Sequence, residues 1–377
     1  MISPLRVLRV ADVTDNRSGG MSRTMYATGD ELARRGHHVE YRFCEHLAVR
    51  CRPQFRRFAV PRRIVELIRR EMADGKRWDL VEIHEPAAAA YAWNRASLPP
   101  LVIFSYGLED RSHRAALDYQ RRKGLPVSLK NRFSPLTVVW QAKYATRHAA
   151  HVICSNSEDV EHLAGRGVPR ERLTRHHSGV EPEFLAASGD LPPARERRGL
   201  LFLGSWLNRK GVLDLVPAAA EALRRHPQEH LTIAGCHAGP GQILPEFPEN
   251  VRGRVRVIPR VDGNSALIEI YRRHSVFVLP SYFEGQPLVL IEAAAMGLAI
   301  VTTHVCGMRD FIEPGKNGLT VPVADPVGLA IALNRLLDSP EEARHLGLQA
   351  LKLALTHTWA AAAEKLEQAY ARAAGQS

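Results

Sequence analysis

Two doubly wound α/β domains in tandem, each a parallel sheet covered by helices, are the fold class this sequence predicts. Three observations carry the expectation. Apolar runs of strand length alternate with amphipathic helical stretches, the βαβα order of parallel sheets. The alternation stops at a Pro/Gly/charged break, "AASGDLPPARERRG" at residues 186–199, and then restarts. The length of 377 residues suits two domains better than one.

In the first half, "RVLRVADV" reads as a strand interrupted by arginines. "SGGMSRTMYATGDELARRGH" reads as a glycine turn opening a helix, and "HVEYRF", "WDLVEIHE", "LVIFSYG" and "HVICSN" follow as strands with helical stretches between most of them. After the break, "LLFLGS", "HLTIAG", "RVRVIP", "VFVLPS" and "AIVTT" read as strands. "GVLDLVPAAAEALRRH", "ALIEIYRRH" and "EGQPLVLIEAAAMG" are the helices between them, and "PVGLAIALNRLLDSPEEARHLGLQALKLAL" supplies terminal helices. The expected domains are 1–187 and 200–358, joined by a linker at 188–199, with a last helix at 359–377 that crosses back to the first domain. Strand ends facing a cleft between such domains are where ligands bind in open α/β sheets.

The net charge of +11 is uneven. Residues 1–187 hold 31 Lys+Arg against 21 Asp+Glu, and residues 188–377 hold 20 against 19. The surplus concentrates at 50–77, with ten basic and three acidic side chains, and at 111–148, with nine and one. Such a domain is either arginine-rich solvated surface or one that docks on an anionic membrane face or polyanionic acceptor. Nucleic acid is not expected, because aromatics do not interleave with the arginines. Five scattered cysteines without a CxxC pair fit a reduced, cytoplasmic protein and argue against metal or disulfides. The start lacks the order of a signal peptide, and no run of about 18 apolar residues spans a membrane.

Three constellations carry chemistry. Gly19 and Gly20 in "SGGM" stand between the first strand and first helix, where backbone can approach a ligand and free N–H groups face a phosphate. On its own the pair could be a tight turn. In "FLGSWLNRKG", Gly204 ends a strand, and Arg209 and Lys210 stand just before a helix, a cradle for a diphosphate or else a solvated turn. In "LPSYFEGQPLVLIEAAAMG", Pro287 suits a first helical turn and Gly297 a helix end. Seven residues separate Glu284 at the helix mouth from Glu292, about two turns within if the helix begins near Gln286. That pair could be a glycosidase-like carboxylate couple. Alternatively, Glu284 answers the helix dipole and Glu292 is a buried ion pair.

The ordered set from the GG loop through "SYGLE", "HVICSNSEDV", "HHSGVEPEFL", "GSWLNRKG", "LTIAG" and "VFVLPSYFEGQPLVLIEAAAMGLAIVTT" to "NGLTVPVADP" resembles the family-four, group 1 retaining glycosyltransferases across nearly the whole chain. The resemblance implies a GT-B fold, two Rossmann-like domains with parallel sheets facing an interdomain cleft. It also implies a nucleotide-sugar donor and a glycan, lipid-linked or small-molecule acceptor, with no cofactor and no metal. Glu284 would contact donor-sugar hydroxyls and Glu292 the ribose hydroxyls. Gly19, Gly20, Gly204, Ser205, Gly285, Gln286 and Leu288 would line the donor, Arg209 and Lys210 would neutralise the diphosphate, and Glu109 fits the family's pattern. The acceptor hydroxyl would attack the face the diphosphate leaves.

Two departures stand out. Many relatives carry histidine where this chain has Tyr106 and arginine where it has Ser205. Tyrosine donates a hydrogen bond but cannot serve as an imidazole near neutral pH; His84, Glu109 and His113 lie near it in sequence. Implied roles are polysaccharide or glycolipid synthesis, with peripheral attachment to the inner face of the plasma membrane. The alternatives are a natural-product glycosyltransferase with a soluble acceptor, a catalytically weak nucleotide-sugar scaffold, and an epimerase or phosphorylase of the same fold.

Overall fold

The computed structural model describes residues 2–17, 19–127, 129–193 and 196–376. Ser18 of the GG loop and Ala194 and Arg195 of the expected linker lie outside the described residues. The chain divides into two units, Met1–Ser178 with Trp359–Ser377, and Gly179–Thr358. The first boundary falls ahead of residue 187 because helix Pro182–Ala187 buries Phe184 against Tyr271 of the second core, with ring centroids 5.9 Å apart.

The first unit holds β1 (Arg6–Val10), β2 (His38–Arg42), β3 (Leu80–Ile83), β4 (Leu101–Ser105), β5 (His151–Cys154) and β6 (Leu173–Arg175), in the all-parallel order β2-β1-β3-β4-β5-β6. The second holds β7 (Leu200–Leu203), β8 (Leu231–Ala234), β9 (Val255–Ile258), β10 (Val276–Leu279), β11 (Ala299–Thr303) and β12 (Leu319–Val321), in the parallel order β12-β11-β10-β7-β8-β9. The doubly wound expectation holds in each unit. β3, β4, β5, β7, β8, β10 and β11 are buried at every residue, as sheets covered on both faces require. β6 and β12, three residues each at a sheet edge, are the strands the sequence pattern passes over.

The arginines of the first strand divide in role. Arg6 is exposed, whereas Arg9 is fully buried. Its guanidinium lies 3.4 Å from Glu82 of β3 and donates to the Tyr370 hydroxyl at 2.7 Å, to the Met25 carbonyl at 2.6 Å and to Thr28 Oγ1 at 2.8 Å. Tyr370 in turn donates to Glu82. Helix Trp359–Ala373 is thereby tied to the first sheet and packs along helix Gly20–Arg34. Among the described residues, no helix is long and apolar enough to cross a membrane.

Candidate functional site

In each sheet the strand order reverses once, between β1 and β3 and between β7 and β10, and ligands in open α/β sheets bind outside the carboxyl ends at such points. In the second unit the segment after β7 carries Gly204 to Lys210 and the segment after β10 carries Pro280 to Glu284, so the topology delivers both motifs to one place.

Lys210 Nζ lies 2.7 Å from Glu284 Oε1, and Arg209 Nη1 donates to the same oxygen at 2.8 Å. The Lys210 and Glu284 side chains are each 11% exposed, while Arg209 is half exposed. Two backbone devices hold the pair. The Tyr282 amide donates to the Arg209 carbonyl at 2.8 Å. Gly211, at φ 74°, brings its backbone so close to β10's exit that a Cβ would stand 1.9 Å from the Pro280 carbonyl oxygen. Glycine is required there on both counts. The Tyr282 hydroxyl donates to Asp214 in the first turn of helix Val212–Arg225 at 2.5 Å, pinning the same corner.

The helix of the third motif runs Leu288–Ala295, with Pro287 as its cap rather than in its first turn. Glu284 therefore precedes the helix, and Glu292 lies just over one turn within it, not two. Glu292 is 3% exposed and accepts a hydrogen bond from the Tyr271 hydroxyl at 3.0 Å. Gly285 lies against Gly307, whose Cβ would stand 2.1 Å from the Gly285 carbonyl oxygen, and the Gly307 amide reaches the Glu284 carbonyl at 3.3 Å. Gln286 and Leu288 follow at the helix entrance. Gly204 has φ 145°, and a Cβ on it would meet Lys210 Nζ at 3.8 Å; Ser205 follows it, partly buried.

In the first unit, Gly19 caps helix Gly20–Arg34 in extended conformation, with no side-chain cap and no acid in the first turn. A Cβ on Gly20 would meet nothing within 4 Å. Among the described residues no side chain caps this helix start, and a start of that kind offers its backbone N–H groups to an anion. Tyr106, just past β4, stacks on Phe104 at 4.5 Å and donates to the Met21 carbonyl at 3.4 Å. Burial pushes its hydroxyl well above 10. Tyr106 is therefore a neutral donor already turned toward the GG helix. His84, past β3, lies 5.7 Å from the Tyr106 ring, and burial lowers its imidazole to about 4, so it is neutral at physiological pH. Its neighbour Glu85 is buried and accepts from Ser105 Oγ at 2.7 Å. Burial, followed by the charges of Glu109, Asp159 and Asp110, sets against the Ser105 bond and raises that carboxyl to about 8. Glu109 opens helix Glu109–Arg122. His113, one turn on, has its Nε2 buried without a hydrogen-bond partner among the described residues, and burial lowers its pKa.

Sequence reasoning missed Tyr271, Asp214, Tyr282, Gly307 and Glu85. Tyr271 could have been found from its place on the apolar face of "ALIEIYRRH", four residues after Leu267. The others have no local signal, since each is defined by a distant partner.

A sequence model described as "Glycosyl transferases group 1" matches residues 197–339, and one described as "Glycosyltransferase Family 4" matches residues 18–184. A D-inositol 3-phosphate glycosyltransferase of Corynebacterium diphtheriae is 34% identical over 183 residues, 46% of this chain and 42% of that protein. A glycogen synthase of Mycobacterium tuberculosis is 29% identical over 226 residues, 58% of this chain and 53% of that protein. The matched stretches span about half the length of these curated relatives. Sucrose-phosphate synthase from Thermosynechococcus elongatus superposes with a TM-score of 0.74 at 20% identity, covering 97% of this chain and 98% of that one. Anabaena HepE in complex with UDP and glucose superposes at 0.65 and 14% identity, again over 97% and 98%.

Proposed function

We propose that this chain, which belongs to the family-four, group 1 glycosyltransferases and has the GT-B fold, moves a sugar from a nucleotide-sugar donor to an acceptor hydroxyl with retention of anomeric configuration. The observation that carries the reading is the Glu284 carboxylate bracketed by Lys210 and Arg209 at the reversal point of the second sheet, with Glu292 one turn into the adjoining helix. UDP and glucose in the complex of a solved neighbour support a nucleotide-sugar donor.

In this reading Glu292 holds the ribose hydroxyls, Glu284 the sugar hydroxyls, and Arg209 and Lys210 the diphosphate. Gly19 and Gly20 bring a helix start toward the donor, with Gly204, Ser205, Gly285, Gln286 and Leu288 lining it. The acceptor oxygen bonds to the anomeric carbon from the face the diphosphate leaves. The anomeric carbon–oxygen bond breaks, its electron pair departs with the diphosphate, and the hydroxyl proton passes to a departing phosphate oxygen. The two cations neutralise the charge that grows there, the part a divalent metal plays in other transferases. Tyr106, neutral and fixed, orients the acceptor side together with Glu109. The first unit takes the acceptor, a glycan or a lipid-linked sugar in polysaccharide or glycolipid assembly, and its basic surplus favours an anionic setting at the inner face of the plasma membrane.

A thermal-shift screen over nucleotide sugars tests the donor, since a ligand bound by the native state raises its stability. Stabilisation by at least one nucleotide sugar, weakened by Lys210→Ala, is expected. An anomeric assignment of the product by NMR then tests retention. Full turnover in both Lys210→Ala and Glu292→Ala would sink the proposal.

A further inference from the structure

Every large hydrophobic side chain that stands exposed in the first unit, among the described residues, lies between Phe55 and Trp140. Leu129, Leu136 and Trp140 are 72%, 76% and 54% exposed. All of these exposed side chains except Trp93 fall in the stretches that concentrate the positive charge, ten cations to three acids over 50–77 and nine to one over 111–148. Apolar surface and cationic surface therefore coincide on one part of one unit.

The local geometry makes it continuous. Phe55, Phe58 and Arg62 follow at intervals of three and four along helix Pro53–Ala73 and share a face, as do Leu129 and Phe133 on helix Leu129–Phe133. Arg57 Nη1 donates to Thr137 Oγ1 at 2.9 Å, and Thr137 donates to the Phe133 carbonyl at 3.1 Å, which sets the long helix beside the Phe133–Leu136 stretch. Trp140 stacks on Tyr144 at 5.6 Å along helix Val138–His148. Arg52, Arg62, Arg132 and Arg147 are exposed and have no carboxylate partner among the described residues.

We infer that this face docks on an anionic lipid bilayer, with Phe55, Phe58, Leu129, Phe133, Leu136 and Trp140 entering the headgroup boundary and the four arginines reaching lipid phosphates. Aromatic and aliphatic side chains projecting beside unpaired cations are the chemistry of an interfacial membrane surface. A second copy of the chain fits worse, because a two-fold contact sets the patch against itself and brings arginine to arginine. Nucleic acid fits worse too, because Leu129 and Leu136, the two most exposed of these apolar side chains, have no ring on which a base can stack. The inference rests on the reading of the first unit as the acceptor side and places that acceptor at a membrane face. Its test uses neither donor nor acceptor, so it stands or falls apart from the transfer reaction.

The full chain is sedimented with vesicles of neutral phosphatidylcholine and with vesicles holding about 30% phosphatidylserine, at low salt and at about 0.5 M NaCl. Binding to the anionic vesicles alone is expected, falling about tenfold in high salt and about tenfold in Phe133→Ser/Leu136→Ser and in Arg62→Glu/Arg132→Glu. Unchanged circular dichroism in both variants is expected, since the four side chains are exposed. No sedimentation with anionic vesicles at low salt would overturn the proposal, as would equal binding by wild type and both variants. A dimer in solution that Phe133→Ser/Leu136→Ser dissolves, without vesicle binding, would assign the face to a second copy. Binding to single-stranded nucleic acid in place of vesicles would assign it there and equally overturn the proposal.

Discussion

Lys210 and Glu284 form a nearly buried ion pair, Nζ to Oε1 at 2.7 Å, in which the cation and the carboxylate proposed to grip adjoining parts of one donor, its diphosphate and its sugar, hold each other. Removing one partner leaves the other charge without its closest counterpart in a site that excludes most water, a cost of about 3 kcal/mol. Lys210→Ala is therefore expected to lower both thermal stability and turnover, the latter by about 10²–10³-fold as leaving-group charge goes unanswered. The double variant Lys210→Met/Glu284→Gln should regain stability and not turnover. Melting curves and initial rates on the same preparations separate the two, and recovery of rates in the double variant would remove Lys210 from the chemistry.

Tyr271 orients Glu292 through a 3.0 Å hydrogen bond. Tyr271→Phe keeps the ring packed against Phe184 and removes only the hydroxyl. Losing one hydrogen bond to a charged group costs about 2 kcal/mol. If Glu292 holds the ribose, the loss falls on donor binding, and KM for the nucleotide sugar should rise about tenfold with kcat little changed. A fall in kcat at constant KM would count against that role.

Two glycines should respond oppositely to alanine. Gly211→Ala meets the Pro280 carbonyl at 1.9 Å and takes φ 74°, so a loss of about 3 kcal/mol in urea unfolding is expected. Gly20→Ala meets nothing within 4 Å, so stability should stay within about 0.5 kcal/mol of wild type. Its methyl group, however, stands where the helix start is proposed to approach the donor, and kcat/KM should fall about tenfold. Unchanged kinetics in Gly20→Ala would take the GG loop out of the site.

Glu85 gives a pH signature. Burial raises its carboxyl from 4.5 to about 8. Between those values the folded chain keeps a proton that the unfolded chain releases, so its contribution to stability falls as pH rises through the window and the full cost is present above about 8. His84, lowered to about 4 by burial, works in the other direction, its contribution being lost as pH falls below 6.5. Glu85→Gln removes only the first effect. The melting temperature of the variant minus that of wild type should be small near pH 5 and widen steadily to pH 8. A difference that stays flat would show Glu85 ionised in the fold.

The parallel α/β character of both units was legible in the chain itself, since strands such as "LLFLGS" and "VFVLPS" are short apolar runs that two covering layers of helix demand. The Gly-Gly turn, the Arg209-Lys210-Gly211 turn and the Glu284 to Glu292 spacing were legible for the same reason: backbone reach and helix geometry act over a few residues. β6 and β12 escaped, because three residues at a sheet edge hold too little periodicity to register. What only tertiary structure decided was the partner of each buried polar group. Arg9 reads as a flaw in the first strand until Tyr370, 361 residues away, and Glu82 close around it. Glu292 reads as a misplaced charge until Tyr271 reaches it, and Glu284 reads as a helix-dipole residue until Lys210 does. Local sequence sets which element forms because its forces decay within a turn or a strand pair. The state of a buried charge depends on what the fold brings within about 3 Å, and no local pattern carries that.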